Sequence, residues 1–99
     1  MFIRQVIIPE NVEEKLWHKH HVEDFEVHAV FESRPHFEFR ERGELIEGED
    51  LYAAWGRTDA GRHLIVFFIY KFTQDALILS ARDMTKSERT FYAKVKRKK

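Results

Sequence analysis

Three arginines stand at or near the ends of segments that resemble β-strands: Arg57, Arg62 and Arg82. A guanidinium group stays charged and its planar fork binds phosphate oxygens bidentately, which makes it well suited to a phosphate-bearing partner. A β-meander could bring all three onto one rim of a sheet. Two alternatives stay open. Arg82 could pair with Asp83 or Glu88 to finish a strand, and the other two could form the solvated end of a hairpin.

Histidine can act as an acid or a base at neutral pH, and the chain has six. In the stretch HKHH, His18 and His21 are spaced for one face of a helix. A zinc site here would need a third and a fourth ligand, and no candidates stand out, so we predict no metal site. Lys19 and His20 could face an active cleft or cap a helix end. His63 is interpreted as structural.

Acidic and aromatic residues complete the set of candidates. Glu49 and Asp50 precede a strand and could orient an arginine or act as a base, or they could belong to a solvated acidic surface. Tyr52 and Tyr92 could stack on nucleic-acid bases, because aromatic faces beside cations suit single strands. Aromatic residues are also frequent in cores, and for Trp55 we predict a core position.

The composition is that of one folded domain spanning residues 1–99. A hydrophobic fraction of 43% with nine Phe can fill one modest core. There is no cysteine, which fits a reducing cytoplasm. The apolar run 64–70 is too short to span a membrane, and Arg4 and Gln5 interrupt the apolar start MFIRQVII, unlike an export signal. We therefore predict a cytoplasmic protein without membrane contact.

The net charge of zero hides a division between the two halves. Residues 1–50 carry six Lys and Arg against thirteen Asp and Glu, whereas residues 51–99 carry eleven against four. Such asymmetry predicts one face for an anionic partner and another for a basic one, unless both halves fold into one mixed surface. The basic tail at residues 94–99 would add only a salt-sensitive attraction to RNA or to an acidic protein surface.

Helices at both ends of the chain are expected to position these residues. Asn11 and Glu14 form a capping-box pattern that predicts a helix over residues 11–20. A second short helix is predicted over residues 23–31, before Arg34-Pro35, because the residue before proline avoids helical geometry. A C-terminal helix is predicted to begin at a second capping box, TKSE.

Between these helices the chain reads as strands. The stretch HFEFRERGELIEGE predicts a half-exposed strand followed by turns, and DLYAAWGR, RHLIVFFIYK and ALILSAR form a meander. Alternation in ALILSAR would place Leu77, Leu79 and Ala81 on one face and Ile78, Ser80 and Arg82 on the other. The predicted fold is α+β: short N-terminal helices packed on one side of an antiparallel β-meander of three to four strands, plus a C-terminal helix.

Three stretches in this order resemble the BrnT family of toxins from bacterial toxin-antitoxin systems: KHHVEDFEVHAVFE, DLYAAWGRTDAGRHLIVFF and LILSARDMTKSERTFY. The resemblance spans roughly residues 12–92. It implies a RelE-like fold, an RNA-cleaving activity, and neutralisation by a cognate antitoxin with a ribbon-helix-helix domain. Contact with DNA would then be indirect, through that antitoxin.

The resemblance also assigns residues. Arg82 matches the family's Ser-Ala-Arg, Lys19 and His20 match its Lys-His, and Arg89 and Tyr92 match its last helix. The chain departs from the family at several positions. His21 replaces a usual Gly, and arginines often found in the family are absent at Leu51, Asp75, Leu77 and the stretch Tyr70–Phe72. Lys71 could restore one of these charges.

We therefore predict a toxin that acts as a metal-independent endoribonuclease without a cofactor. Cleavage through the 2′-hydroxyl of RNA needs a base, an acid and positive charge around the phosphorane. The candidate catalytic residues are Arg82, Arg57, Arg62, Lys19, His20 and Glu49. The candidate RNA contacts are Lys71, Tyr52, Arg89 and Tyr92. The alternative is a RelE-like module that has lost arginines and binds an antitoxin or RNA without cleavage.

Overall fold

The computed structural model describes residues 1–97, so that Lys98 and Lys99 of the predicted basic tail lie outside it. Its elements are β1 (Gln5–Ile7), α1 (Glu10–His20), α2 (Asp24–Glu32), β2 (His36–Glu41), β3 (Leu51–Arg57), β4 (His63–Tyr70), β5 (Asp75–Asp83) and α3 (Lys86–Arg97). The strands form one sheet in the order β1-β5-β4-β3-β2. The α+β class is confirmed.

The larger core lies between α1 and α2 and one face of the sheet. It contains Leu16 of α1, Val27 and Val30 of α2, and Val66 and Phe68 of β4, all buried. Burying a side chain of this size stabilises the fold by about 1.5–3 kcal/mol. β4 lies third of the five strands, as its apolar sequence predicted.

The opposite face of the sheet is partly covered by α3, so the prediction that helices pack on one side only is wrong. Tyr92 of α3 is buried against a second, smaller core that contains Trp55, Ile65 and Met84. The physical reason is that β3 and β4 present large apolar side chains on both faces, and each face needs cover. The core position predicted for Trp55 is confirmed.

A fifth strand, β1, was not predicted, and it makes the sheet mixed. It has three residues, too few to show an alternating pattern, and it pairs in parallel with β5. Arg4 fixes it there, because its guanidinium donates to both carboxylate oxygens of Asp75 at 3.0 and 2.9 Å. This hydrogen bonding lowers the pKa of Asp75. The family resemblance led us to expect an arginine at position 75, and Asp75 instead binds Arg4 and holds β1 in place.

A β-bulge in β5 makes the predicted alternation of that strand wrong. Phe67 pairs with Ser80, but the next residue of β4, Phe68, pairs with Ile78. Leu79 is the extra residue, so Ile78 lies in the larger core while Ser80 and Arg82 share the face that carries α3. The shared face of Ser80 and Arg82 agrees with the prediction.

Of the two capping boxes predicted at helix starts, one is present. α3 has the predicted capping box, since the backbone N–H of Thr85 donates to Glu88 Oε1 at 2.8 Å and that of Glu88 donates to Thr85 Oγ1 at 3.2 Å. α1 begins at Glu10 after Pro9, with no side-chain cap, so the capping role of Asn11 is wrong. Within residues 1–97, no helix has both the length and the hydropathy to cross a membrane.

Candidate functional site

Arg62 has all five of its N–H donors engaged. Nε and Nη2 donate to the two carboxylate oxygens of Asp83 at 2.8 and 3.0 Å, and Nη1 donates to Glu26 at 3.0 Å. The two remaining donors bind the backbone carbonyls of His20 and His21, both within 2.9 Å. No donor is left for a phosphate. The catalytic role predicted for Arg62 stays untested, and we assign it a structural one.

This network fixes the α1–α2 turn against the end of β5. His21 has a φ of 52°, in the left-handed region, and its N–H donates to the carbonyl of Trp17 at 2.9 Å. The geometry explains why a family would favour glycine at this position. His20 lies near enough to Asp83 to lower that carboxyl's pKa, although the hydrogen bond from Arg62 has the larger effect. Lys19 is exposed at the end of α1.

Arg82, the first of the predicted catalytic residues, is neutralised. It forms a bidentate pair with Glu88 at 2.7 and 3.0 Å and lies over the ring of Phe67. The pair lowers the pKa of Glu88 to about 2, chiefly through the hydrogen bond from Arg82. This is the alternative in which Arg82 finishes a strand, and the contact anchors the start of α3 to β5.

A second arginine on the same face was missed by the sequence reading. Arg40 of β2 also lies over the Phe67 ring, 5.6 Å from its centroid, and it pairs with Glu38 at 3.1 Å. Glu38 in turn accepts a hydrogen bond from Trp55 Nε1. Both arginines on this open part of the sheet are therefore matched by carboxylates.

Two further arginines lie at the other side of α3, where β3 turns into β4. Four side chains meet there, and we call them the hairpin cluster: Arg57, His63, Arg89 and Tyr92. The rings of His63 and Tyr92 lie edge to face with centroids 5.9 Å apart. Arg57 and Arg89 are exposed, and both lie near enough to His63 to affect its titration. Neither donates to a carboxylate within the described residues 1–97.

The electrostatics of the hairpin cluster favour a neutral imidazole beside two free cations. Burial lowers the pKa of His63, and the positive charges of Arg57 and Arg89 lower it further. Burial also raises the pKa of Tyr92, so its phenol stays protonated at neutral pH. A neutral imidazole can accept a proton, and free guanidinium groups can hold an anion. In residues 1–97, no three His, Asp or Glu side chains are grouped to hold a metal ion.

The other predicted site residues lie away from the hairpin cluster. Glu49 is buried and accepts hydrogen bonds from Lys71 Nζ at 2.7 Å and from the backbone N–H of Phe72 at 3.0 Å. These contacts lower the pKa of Glu49, which makes its carboxylate a weaker base. They also leave Lys71 engaged in an ion pair. Tyr52 packs on Phe68 against the larger core, on the opposite face from Arg82.

An apolar groove occupies the part of the open sheet face that α3 leaves uncovered. Its cavity is about 390 Å³ in volume and lies between the 41–49 segment and the sheet. The aliphatic lining comes from Leu51, Ile69, Leu77, Leu79, Leu45 and Ile46. Leu45 is 98% exposed and extends the aliphatic lining to the surface, and contiguous exposed apolar patches mark interaction sites.

Sequence reasoning named three members of the hairpin cluster but interpreted the fourth, His63, as structural. Its position carried one usable signal, because it opens a strand that is otherwise apolar from Leu64 to Tyr70. What the sequence could not show is that α3 crosses this face of the sheet. That crossing brings Arg89 and Tyr92, which lie far along the chain, beside His63.

One comparison with known proteins gave a match. A family model described as "Ribonuclease toxin, BrnT, of type II toxin-antitoxin system" matches residues 10–88, which is most of the chain. The matched segment contains α1, α2 and all of β2 to β5, and it ends at Glu88, in the first turn of α3. A search of curated proteins found no match.

Proposed function

The chain belongs to the BrnT family of ribonuclease toxins of type II toxin-antitoxin systems, and we propose that it is a metal-independent endoribonuclease whose reaction centre is the hairpin cluster. The observation that carries this proposal is the pairing of charges. Arg82 and Arg62 are neutralised by carboxylates, whereas Arg57 and Arg89 pair with no carboxylate of residues 1–97 and lie beside a half-buried imidazole. A phosphate needs cations that are not already matched.

The reaction that suits this cluster is transesterification by the RNA's own 2′-hydroxyl. His63 accepts the 2′-hydroxyl proton, and the 2′-oxygen attacks the phosphorus. Arg57 and Arg89 stabilise the extra negative charge of the phosphorane. The P–O5′ bond then breaks, and the 5′-oxygen takes a proton from solvent. The products are a 2′,3′-cyclic phosphate and a free 5′-hydroxyl.

The test uses purified protein and RNA in EDTA. Wild-type protein should produce 2′,3′-cyclic phosphate ends in EDTA, and Arg57→Gln should lower kcat/KM by roughly 10- to 100-fold, since one cation of the transition state is lost. Lys15→Gln, an exposed cation of α1 on the other face of the sheet, is the matched control and should keep wild-type activity.

If correctly folded wild-type protein leaves the RNA intact, the result would instead support the alternative function. In that alternative the protein is a RelE-like module that binds an antitoxin or RNA without cleavage. The specific observation that favours this alternative is the bidentate Arg82–Glu88 pair, because it removes the cation that best matches the family's Ser-Ala-Arg.

The partner of a type II toxin is an antitoxin. We propose that this protein is cytoplasmic and has a RelE-like fold. Its antitoxin carries a ribbon-helix-helix domain that binds DNA, so that the toxin contacts DNA only indirectly. The antitoxin also covers the apolar groove. Glu41 and Glu44 line the groove beside its aliphatic residues. Arg42 also lines the groove. Within residues 1–97 none of these three side chains forms an ion pair, so two acids against one cation leave the rim negative, and the complementary antitoxin segment carries aliphatic anchors flanked by Lys or Arg.

Leu79→Lys tests the groove. Leu79 is 39% exposed, so a lysine there can reach solvent without breaking the fold, but it places a charge in the apolar contact. We expect the antitoxin affinity to fall at least tenfold in a pull-down titration. Phe25→Ser, which alters an apolar side chain that is 62% exposed on α2, is the control and should bind like wild type. An equal loss of antitoxin affinity in both variants would contradict the proposal that the antitoxin binds in the groove.

A further inference from the structure

The hairpin cluster continues into a row of cations along one face of α3. A shallow cavity of about 510 Å³ is lined by His63, Lys86, Arg89, Thr90, Ala93 and Arg97. Each of the five helical positions lies three or four residues from at least one other, which places them on one face of the helix. We call this surface the α3 track. It meets the hairpin cluster at His63 and Arg89, which belong to both.

The α3 track carries cations at both of its ends and at Arg89. None of its six lining residues is acidic, and Glu88, the acidic residue of this helix, is bound to Arg82 on the other side. Lys86, Arg89 and Arg97 are all exposed. No ion pair engages any of the three within residues 1–97. Phosphates bound here would displace counterions and not protein carboxylates.

The dimensions of the α3 track fit more than one nucleotide. Eleven helical steps separate Lys86 from Arg97, which corresponds to about 16 Å along the helix axis. A shallow, open surface with small side chains at Thr90 and Ala93 gives an extended backbone room to lie against the helix. It offers no deep pocket in which a base could be read, so the contact would be to phosphates.

We propose that the α3 track binds the backbone of single-stranded RNA beside the scissile phosphate, with Lys86 and Arg97 on separate flanking phosphates at the two ends of the track. The inference rests on the proposed function, because the scissile phosphate is placed at the hairpin cluster. The substrate is therefore an RNA of several nucleotides, bound without sequence readout along α3, and a dinucleotide would use only part of the site.

The experiment compares two substrates and two variants. The double variant Lys86→Ala/Arg97→Ala removes two track cations, and Lys94→Ala removes an exposed cation of the same helix that does not line the track. For each protein, kcat/KM is measured on a dinucleotide and on a twelve-nucleotide RNA. We expect the ratio of the longer to the shorter substrate to fall about tenfold in the double variant and to stay at the wild-type value in Lys94→Ala.

Binding is measured in parallel with a twelve-nucleotide strand that carries a 2′-deoxy sugar at every position, which cannot be cleaved. The slope of log affinity against log salt should decrease in magnitude by about 1.4 in the double variant, for two lost phosphate contacts on a single strand. If wild type binds this strand with that pattern yet cleaves no RNA, the proposed catalysis fails while the α3 track stands.

Two results would overturn the α3 track. Equal losses in Lys94→Ala and the double variant would show a general effect of charge and not a defined path. Unchanged RNA affinity together with a weakened antitoxin complex would show that this face of α3 is a protein interface.

Discussion

His63→Ala is expected to lower kcat/KM for RNA cleavage by about 10²- to 10⁴-fold, the usual contribution of a positioned acid or base. The imidazole is the group of the hairpin cluster that can accept a proton at physiological pH, since burial and the charges of Arg57 and Arg89 lower its pKa and keep it neutral. The arginines would remain in the variant, so RNA affinity should change little. Measurement of kcat/KM and of binding to an uncleavable strand separates the two effects.

Added imidazole gives the control for this substitution. If His63 acts in proton transfer, free imidazole should restore part of the lost activity of the alanine variant and should leave wild type unaffected. Circular dichroism should show an intact fold, because the ring contact with Tyr92 is only one of the contacts that hold α3. Activity of the variant within threefold of wild type would contradict a role for His63 in the reaction.

The pH dependence of cleavage follows from the same pKa. A base works in its neutral form, so kcat/KM should rise with pH through the pKa of His63, with a midpoint below the ordinary histidine value of about 6.5, and should level off above that midpoint. Arg57→Gln removes one of the charges that lower this pKa. In that variant the midpoint of the pH dependence should therefore move to higher pH, and the maximal kcat/KM should be lower.

Local patterns predicted the elements well because their causes are local. The capping box of Thr85 and Glu88 and the apolar run of β4 depend on residues within a few positions of each other. The bulge at Leu79 and the parallel strand β1 could not be predicted in this way. Both depend on a partner strand that is distant in the sequence.

The candidate site shows the same division. Residue type and position near a strand end selected Arg57, Arg62 and Arg82 alike, and the family resemblance then placed Arg82 first. The structure distinguishes the three arginines by the groups that each guanidinium contacts. For Arg62 these groups come from positions as far apart in the sequence as His20 and Asp83. Whether an arginine is free or neutralised is a property of tertiary contacts, and that property decides which of them can hold a phosphate.

Arg62→Ala is expected to lower the free energy of unfolding by roughly 2–3 kcal/mol, the largest stability effect predicted for this chain. The side chain is 25% exposed, and its loss leaves the largely buried carboxylate of Glu26 and two backbone carbonyls without their donor. Arg62→Lys should be nearly as damaging, because a single ammonium cannot replace a planar fork that contacts five acceptors. Urea denaturation followed by circular dichroism gives the measurement.

Arg57→Ala is the matched control, since it removes the same side chain from the same hairpin. Arg57 is exposed and forms no ion pair within residues 1–97, so its removal should change the free energy of unfolding by less than about 0.5 kcal/mol. It should nevertheless lower RNA cleavage. The two variants would thus separate stability from activity at neighbouring arginines, and a large loss of stability in Arg57→Ala would contradict the assignment of roles.

The effect of pH on Arg62→Ala provides a further check on its cause. The hydrogen bond from Arg62 lowers the pKa of Asp83, so the pair stabilises the fold above the unfolded pKa of about 3.9 and loses this contribution as pH falls through the lower folded value. The stability difference between wild type and the variant should therefore be constant near neutral pH and narrow below about pH 4. A difference that persists undiminished in acid would mean that Arg62 acts through packing and its hydrogen bonds to backbone carbonyls, and not through its carboxylates.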